Sequence, residues 1–151
     1  MQVSARGDYA VRAALGLAAV FPATVSAQTL ADVHGLPRKF LEAILADLRR
    51  ADLVRGQRGV DGGYVLTRAP SEITVGQVLR AVDGPLAGVR GVRPEDAMYE
   101  GAAEHLQQLW IAVRAAVRKV LDEVTLADLV RGRLPAHVRR LTATPEAWQP
   151  R

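Results

Sequence analysis

The chain has 151 residues, 49% of them apolar and only 5% aromatic, which is enough for one buried core and favours helices packed through Ala, Leu and Val. Twenty basic against sixteen acidic residues leave a net charge of +4, shared evenly between residues 1–84 and 85–151, so overall charge does not locate a nucleic-acid face. The absence of cysteine excludes disulfides, thiol redox chemistry and a thiolate-held iron–sulfur cluster.

Residues 5–21 read as a first helix. Ala10, Ala14, Leu15, Leu17 and Ala18 form a small-residue face that lets another helix approach closely, and Pro22 ends it. The apolar run Ala13–Phe21 followed by Val25-Ser26-Ala27 imitates a secretory signal, but Asp8 and Gly16 are out of place in one. No run reaches the ~20 apolar residues of a membrane span. The expectation is a soluble, cytoplasmic protein with no membrane partner.

The stretch from Ser26 to Leu66 carries the strongest pattern. Ser26 can cap a short helix running to His34, with Leu30 and Val33 on one face, and Gly35 can take the left-handed conformation that stops it. Pro37 opens a second helix in which Phe40, Leu41, Ile44, Leu45 and Leu48 recur at helical spacing. Its opposite side would show Arg38, Lys39, Glu42, Ala43, Asp47, Arg49 and Arg50 to solvent. Two short extended runs follow, Leu53–Arg58 and Gly63–Leu66, joined through Gly59-Val60-Asp61-Gly62. Helix, glycine turn, helix and hairpin in that order make a helix-turn-helix with a wing, a way of placing one helix in a DNA groove. A helix face of mixed charge is by itself an ordinary solvated surface. The hairpin turns the reading toward DNA, as does the excess of six basic over three acidic residues between Arg38 and Arg58.

Beyond the wing, Thr74 and Gln77 make a capping box, and Val75, Val78, Leu79 and Val82 give helical spacing as far as Gly84-Pro85. Residues 85–101 hold scattered Pro and Gly and read as a loop. Leu106, Leu109, Trp110, Val113, Val117, Val120, Leu121 and Val124 then repeat at three and four. A stripe that long exceeds what the first 84 residues can cover, so a second copy of the helix is its natural partner. Thr125 and Asp128 cap a short further helix, and the tail from Arg131 holds Arg133, Arg139 and Arg140, with an end expected to be poorly ordered. The fold class expected is mainly α with a small β-hairpin wing. Residues 1–84 form the winged helix-turn-helix, 85–101 a loop, 102–132 the dimerisation helix with a short helix after it, and 133–151 a basic tail.

Several of these stretches together resemble a known family. They are Ser4-Ala5-Arg6-Gly7-Asp8-Tyr9-Ala10, Lys39-Phe40-Leu41-Glu42, Leu53-Val54-Arg55, Arg58-Gly59, Gly62-Gly63-Tyr64, Glu72-Ile73-Thr74, Ala81–Leu86 and Thr125–Leu129. In this order they are similar to the Rrf family of bacterial winged-helix regulators, the IscR, NsrR and CymR type, over about residues 1 to 132. The resemblance implies a homodimer on double-stranded DNA. It places groove-reading positions at Lys39, Phe40, Glu42 and Ala43, although Phe40, at the edge of the apolar face, could equally be core. Charge and position add Arg38, Arg49, Arg50 and Arg55 as phosphate contacts and Arg58 as a wing residue for the minor groove. The dimer would close through Leu106, Leu109, Trp110, Val113, Val117 and Val120.

The family's sensors carry three cysteines between the fourth helix and the long one, where this chain has Arg90, Arg93, Met98 and their neighbours. The resemblance therefore carries over DNA binding without cluster sensing, and no cofactor is expected. Glu95, Asp96, Glu100, Glu104 and His105 offer oxygen and nitrogen donors in that loop, but a carboxylate-rich loop is ordinarily just solvated. His34, His105 and His137 are never three or four apart and suggest no zinc site. No catalytic motif is present, and Gly59–Gly63 lies between strands rather than at a helix N-terminus that could hold phosphate. The expected function is a sequence-specific, non-enzymatic transcriptional regulator, a repressor on a pseudo-palindromic operator. The alternatives are a winged helix that docks a protein, or a regulator answering to a small-molecule effector or partner protein, with sulfur and cysteine metabolism suggested by analogy.

Overall fold

The computed structural model describes residues 2–150. Helix α1 (Ala5–Val20) starts where the Ser4 hydroxyl accepts the Gly7 amide at 2.8 Å. Its Ala10, Ala13, Ala14 and Leu17 are sealed in the centre of the molecule. With so little side-chain bulk on that face, α4 (Val75–Asp83) and α3 (Arg38–Arg50) both pack closely against it.

Helix α2 (Ala27–His34) has the cap expected of Ser26, whose Oγ accepts from the Thr29 amide at 3.0 Å. Gly35 stops it with φ 59° and ψ 39°, the left-handed conformation in which a Cβ is penalised. Leu30 is buried, but Val33 is 70% exposed, so α2 does not carry the pair on one buried face. A helix of eight residues presents barely one apolar row, and Leu30 with Ala31 supplies it.

Strands β1 (Val54–Gln57) and β2 (Gly63–Leu66) pair antiparallel from Val54 opposite Leu66 to Gln57 opposite Gly63. Arg58 lies just beyond β1 rather than in it. The inner end of the hairpin is anchored by buried Val54, Val65 and Leu66. Val25, in the α1–α2 connection, adds a further rung, donating to the Tyr64 carbonyl at 2.9 Å and accepting the Tyr64 amide at 2.7 Å. Gly63 is required there, because a Cβ would stand 2.5 Å from the Val25 carbonyl oxygen.

The capping box forms at α4: the Gln77 amide donates to Thr74 Oγ1 at 3.2 Å, and the Thr74 amide donates to Gln77 Oε1 at 2.9 Å. Residues 84–105 then run as a loop with short 3-10 turns at Pro94–Asp96 and Gly101–Ala103 and a bridge between Val89 and Val92. Helix α5 spans Leu106–Leu121, so the apolar repeat that runs to Val124 outlasts the helix by three residues. Helix α6 (Leu126–Val130) has the Thr125–Asp128 box and returns to the first 84 residues. The Leu126 amide donates to the Ile73 carbonyl at 2.9 Å, and the Leu126 side chain is completely buried in the main core. The tail carries secondary structure that its composition does not suggest. Helix α7 (Ala136–Leu141) buries Val138 against Val75, Leu79 and Val124, and the Trp148 indole donates to the Thr142 carbonyl at 2.8 Å. A single apolar side chain facing an existing core is enough to dock a short helix that charge counting reads as a basic tail.

Candidate nucleic-acid interface

Helix α3 is held from behind. Leu41, Ile44, Leu45 and Leu48 are all 1% exposed or less, so neither the rotation nor the depth of the helix is free to vary. Its other side presents Arg38, Lys39, Phe40, Glu42, Ala43, Arg49 and Arg50 to solvent, and the hairpin adds Arg55 and Arg58. All nine side chains expected to meet DNA are therefore on the surface.

Phe40 is 55% exposed, which separates the two readings of this position: its ring stands at the surface and is not core. It meets Tyr9 edge-on with 6.1 Å between centroids, and the Arg12 guanidinium lies 5.7 Å from the centre of the Tyr9 ring. Arg12 also donates to the His34 carbonyl. The first turns of α3 are thus backed by an aromatic and cationic stack from α1.

Asp47 does not face solvent as its charge suggests; it is 7% exposed. Its carboxylate accepts Arg6 of α1 on one oxygen and Arg50 of α3 on the other. A buried carboxylate is stable only when paired, and this pairing ties α1 to the last turns of α3. The signal was present in the sequence, since Asp47 lies three residues after Ile44 and one before Leu48, inside the buried arc of a 3.6-residue period. Arg6, on another helix, could be paired with it only in three dimensions.

These pairings divide the cations. Arg38 is bonded to Glu42 at 3.3 Å and to the Gln28 side chain, and Arg50 to Asp47. Lys39, Arg49, Arg55 and Arg58 have no ion pair among the described residues. The wing tip is built from backbone. Gly62 donates to the Gly59 carbonyl at 3.0 Å, Gly59 has φ 116°, and Thr24 Oγ1 donates to the Asp61 carbonyl at 2.6 Å. Arg58 therefore emerges beside a tip whose side chains are Val60, fully exposed, and the exposed Asp61.

The residues expected at a dimer interface are in two environments. Leu109 and Val113 are 51% and 37% exposed, joined by Ile111 at 38%, which the sequence reading did not include. Leu106, Trp110, Val117 and Val120 are half-buried, and Val120 packs with Leu121 on the Val75–Leu79–Val124–Val138 cluster.

A helix-turn-helix whose second helix is fixed by its core and exposed along one side, with a basic hairpin beside it, defines the class of winged-helix DNA-binding proteins. Comparison with known proteins makes the assignment specific. Residues 3–132 match the Rrf2 family model, described as an iron-dependent transcriptional regulator. An HTH-type transcriptional regulator of Mycobacterium tuberculosis is 46% identical over 142 residues, 93% of this chain and 88% of that protein. The regulator CymR of Bacillus subtilis is 35% identical over 85% of this chain and 89% of its own length. The solved structure of CymR, the global cysteine regulator of B. subtilis, superposes with a TM-score of 0.74 at 34% identity over 87% of this chain and 98% of that one. That of T. potens IscR gives 0.71 at 33% identity over 87% and 88%. The chain belongs to the Rrf2 family and is a DNA-binding transcriptional regulator.

The iron in the family's description does not fit the residues present. An iron–sulfur cluster is held by thiolates, and this chain has no cysteine. In the 85–105 loop Glu95 is engaged by Arg114, and Arg90 stacks on Tyr99 at 5.6 Å. A hydrogen bond from its own backbone amide, followed by that Arg114 guanidinium, holds the Glu95 carboxyl below its ordinary pKa, so it stays an anion committed to arginine. Among the described residues no three His, Asp or Glu side chains converge on a point where a metal could sit.

Proposed function

We propose that the protein works as a cytoplasmic homodimer without enzymatic activity, repressing transcription by occupying a pseudo-palindromic operator. The observation that carries the dimer is α5, sixteen residues long with none of them buried and with Leu109, Ile111 and Val113 open to solvent. A helix that apolar on a free surface is covered in solution, and a second copy of the same helix covers it symmetrically. Two copies would present two α3 surfaces to successive major grooves, each reading bases through Lys39, Phe40, Glu42 and Ala43, with Arg58 in the adjoining minor groove.

The test is operator binding across a salt series with the mass in solution measured in parallel. Arg38, Arg49, Arg50 and Arg55 on phosphates in each chain give roughly eight phosphates per dimer and a log–log salt slope of about −7. A flat salt response would favour the winged helix as a protein-docking surface, and a monomer at micromolar concentration by light scattering would remove the dimer.

A further inference from the structure

A cleft of about 990 Å³ opens between the end of α4, the loop after it and α5. Four guanidinium groups line it: Arg80 from α4, Arg93 from the loop, and Arg114 and Arg118 one turn apart on α5. Two are already engaged, Arg80 with Asp122 at 2.6 Å and Arg114 with Glu95. Arg93 and Arg118 form no ion pair among the described residues, although they face the same space.

Hydrogen-bond capacity is unbalanced in this cleft. Each guanidinium offers five N–H donors. Of the three carboxylates, Asp83 accepts the Ser4 hydroxyl at 2.6 and 2.8 Å and Glu95 is held by Arg114, which leaves Asp96. Guanidinium donors therefore outnumber carboxylate acceptors along the lining. The remaining wall is apolar, formed by Pro85, Leu86, Val92 and Pro94. The backbone around it is strained: Ala87 and Arg90 take φ values of 57° and 51°, a region that non-glycine residues rarely occupy and that recurs at functional sites.

We propose that this cleft binds a small organic monoanion, its carboxylate held by Arg93 and Arg118 and its apolar body laid against Leu86 and Val92. A carboxylate supplies the acceptors the guanidinium groups lack, and a planar fork-to-fork pairing suits them. Asp83 and Asp96 on the same lining repel further negative charge, so polyanions are disfavoured. The site is separate from the DNA-facing surface and its occupancy is measurable without DNA.

The experiment is calorimetric titration of the full chain at fixed ionic strength with benzoate, inorganic phosphate and citrate. Benzoate should give saturable binding of one molecule per chain, tighter than either phosphate or citrate. Arg93→Gln and Arg118→Gln should each weaken benzoate about tenfold, the usual effect of losing one charge-assisted hydrogen bond, and the double variant should show no saturable heat. Both residues are exposed, so circular dichroism of the variants should match wild type. The inference is overturned if benzoate produces no saturable heat, if the folded double variant binds it as wild type does, or if citrate binds more tightly than benzoate.

Discussion

Helices α3 and α5 are the two long amphipathic helices outside α1, and they handle their apolar faces in opposite ways. Helix α3 buries Leu41, Ile44, Leu45 and Leu48 completely within its own chain. Helix α5 is longer and has no fully buried residue, meeting its own chain through half-buried Trp110, Val117, Val120 and Leu121 while Leu109, Ile111 and Val113 stay open. Under the proposed function, the difference separates a reading surface held rigid from an apolar surface kept for a second copy. A reading helix gains specificity when its rotation is fixed before DNA arrives, whereas an interface helix has to keep apolar area for a partner.

The comparison breaks most visibly at α5. Replacing Leu109 and Val113 together with glutamate should give folded monomers and weaken operator binding by roughly two orders of magnitude, because the second half-site then no longer benefits from being tethered to the first. Light scattering and a mobility-shift titration would check both halves, and a dimer that survives the change would show that α5 is not the seam.

Stability sharpens the same contrast. Leu41→Ala should cost about 2–5 kcal/mol in denaturant unfolding, since it empties a fully packed position, while Leu109→Ala, half-exposed, should cost a monomer well under ~1 kcal/mol. Equal losses at the two positions would show that α3 and α5 are held by their own chain to the same degree.

The wing is next in size. Arg58→Ala should weaken operator binding by about 1–3 kcal/mol at physiological salt, the scale of a guanidinium lost from a narrow minor groove. Unchanged affinity in a fluorescence anisotropy titration would leave the hairpin without a reading role.

The smallest expected change in affinity is at Glu42, on the open face of α3. A carboxylate repels phosphate but can accept from cytosine N4, so Glu42→Ala should alter which operators are preferred more than how tightly the best one is held. Selection from a randomised operator library would show the shift, and an unchanged consensus would assign Glu42 to its pairing with Arg38 at 3.3 Å instead.

Much of this was legible in the chain because it depends on local rules. Ser26, Gly35 and the Thr74–Gln77 and Thr125–Asp128 boxes define helix ends through bonds between residues three apart, and the two-stranded hairpin follows from short extended runs around glycine. The exposure of the residues expected to face DNA was legible for the same reason: a helix with one apolar side must show the other. What the residues did not reveal was long-range. The spacing of Asp47 puts it in the buried arc of α3, but its partner Arg6 of α1 stands 41 positions away in the chain, and Val138 became core only because α7 reaches Val75 and Leu79 of α4 and Val124. Local hydrogen bonds and period are written along the sequence. The pairing of a buried charge, the seat of a short helix and the cleft lined by Arg80, Arg93, Arg114 and Arg118 depend on elements distant in sequence meeting in space, and only the tertiary structure decided them.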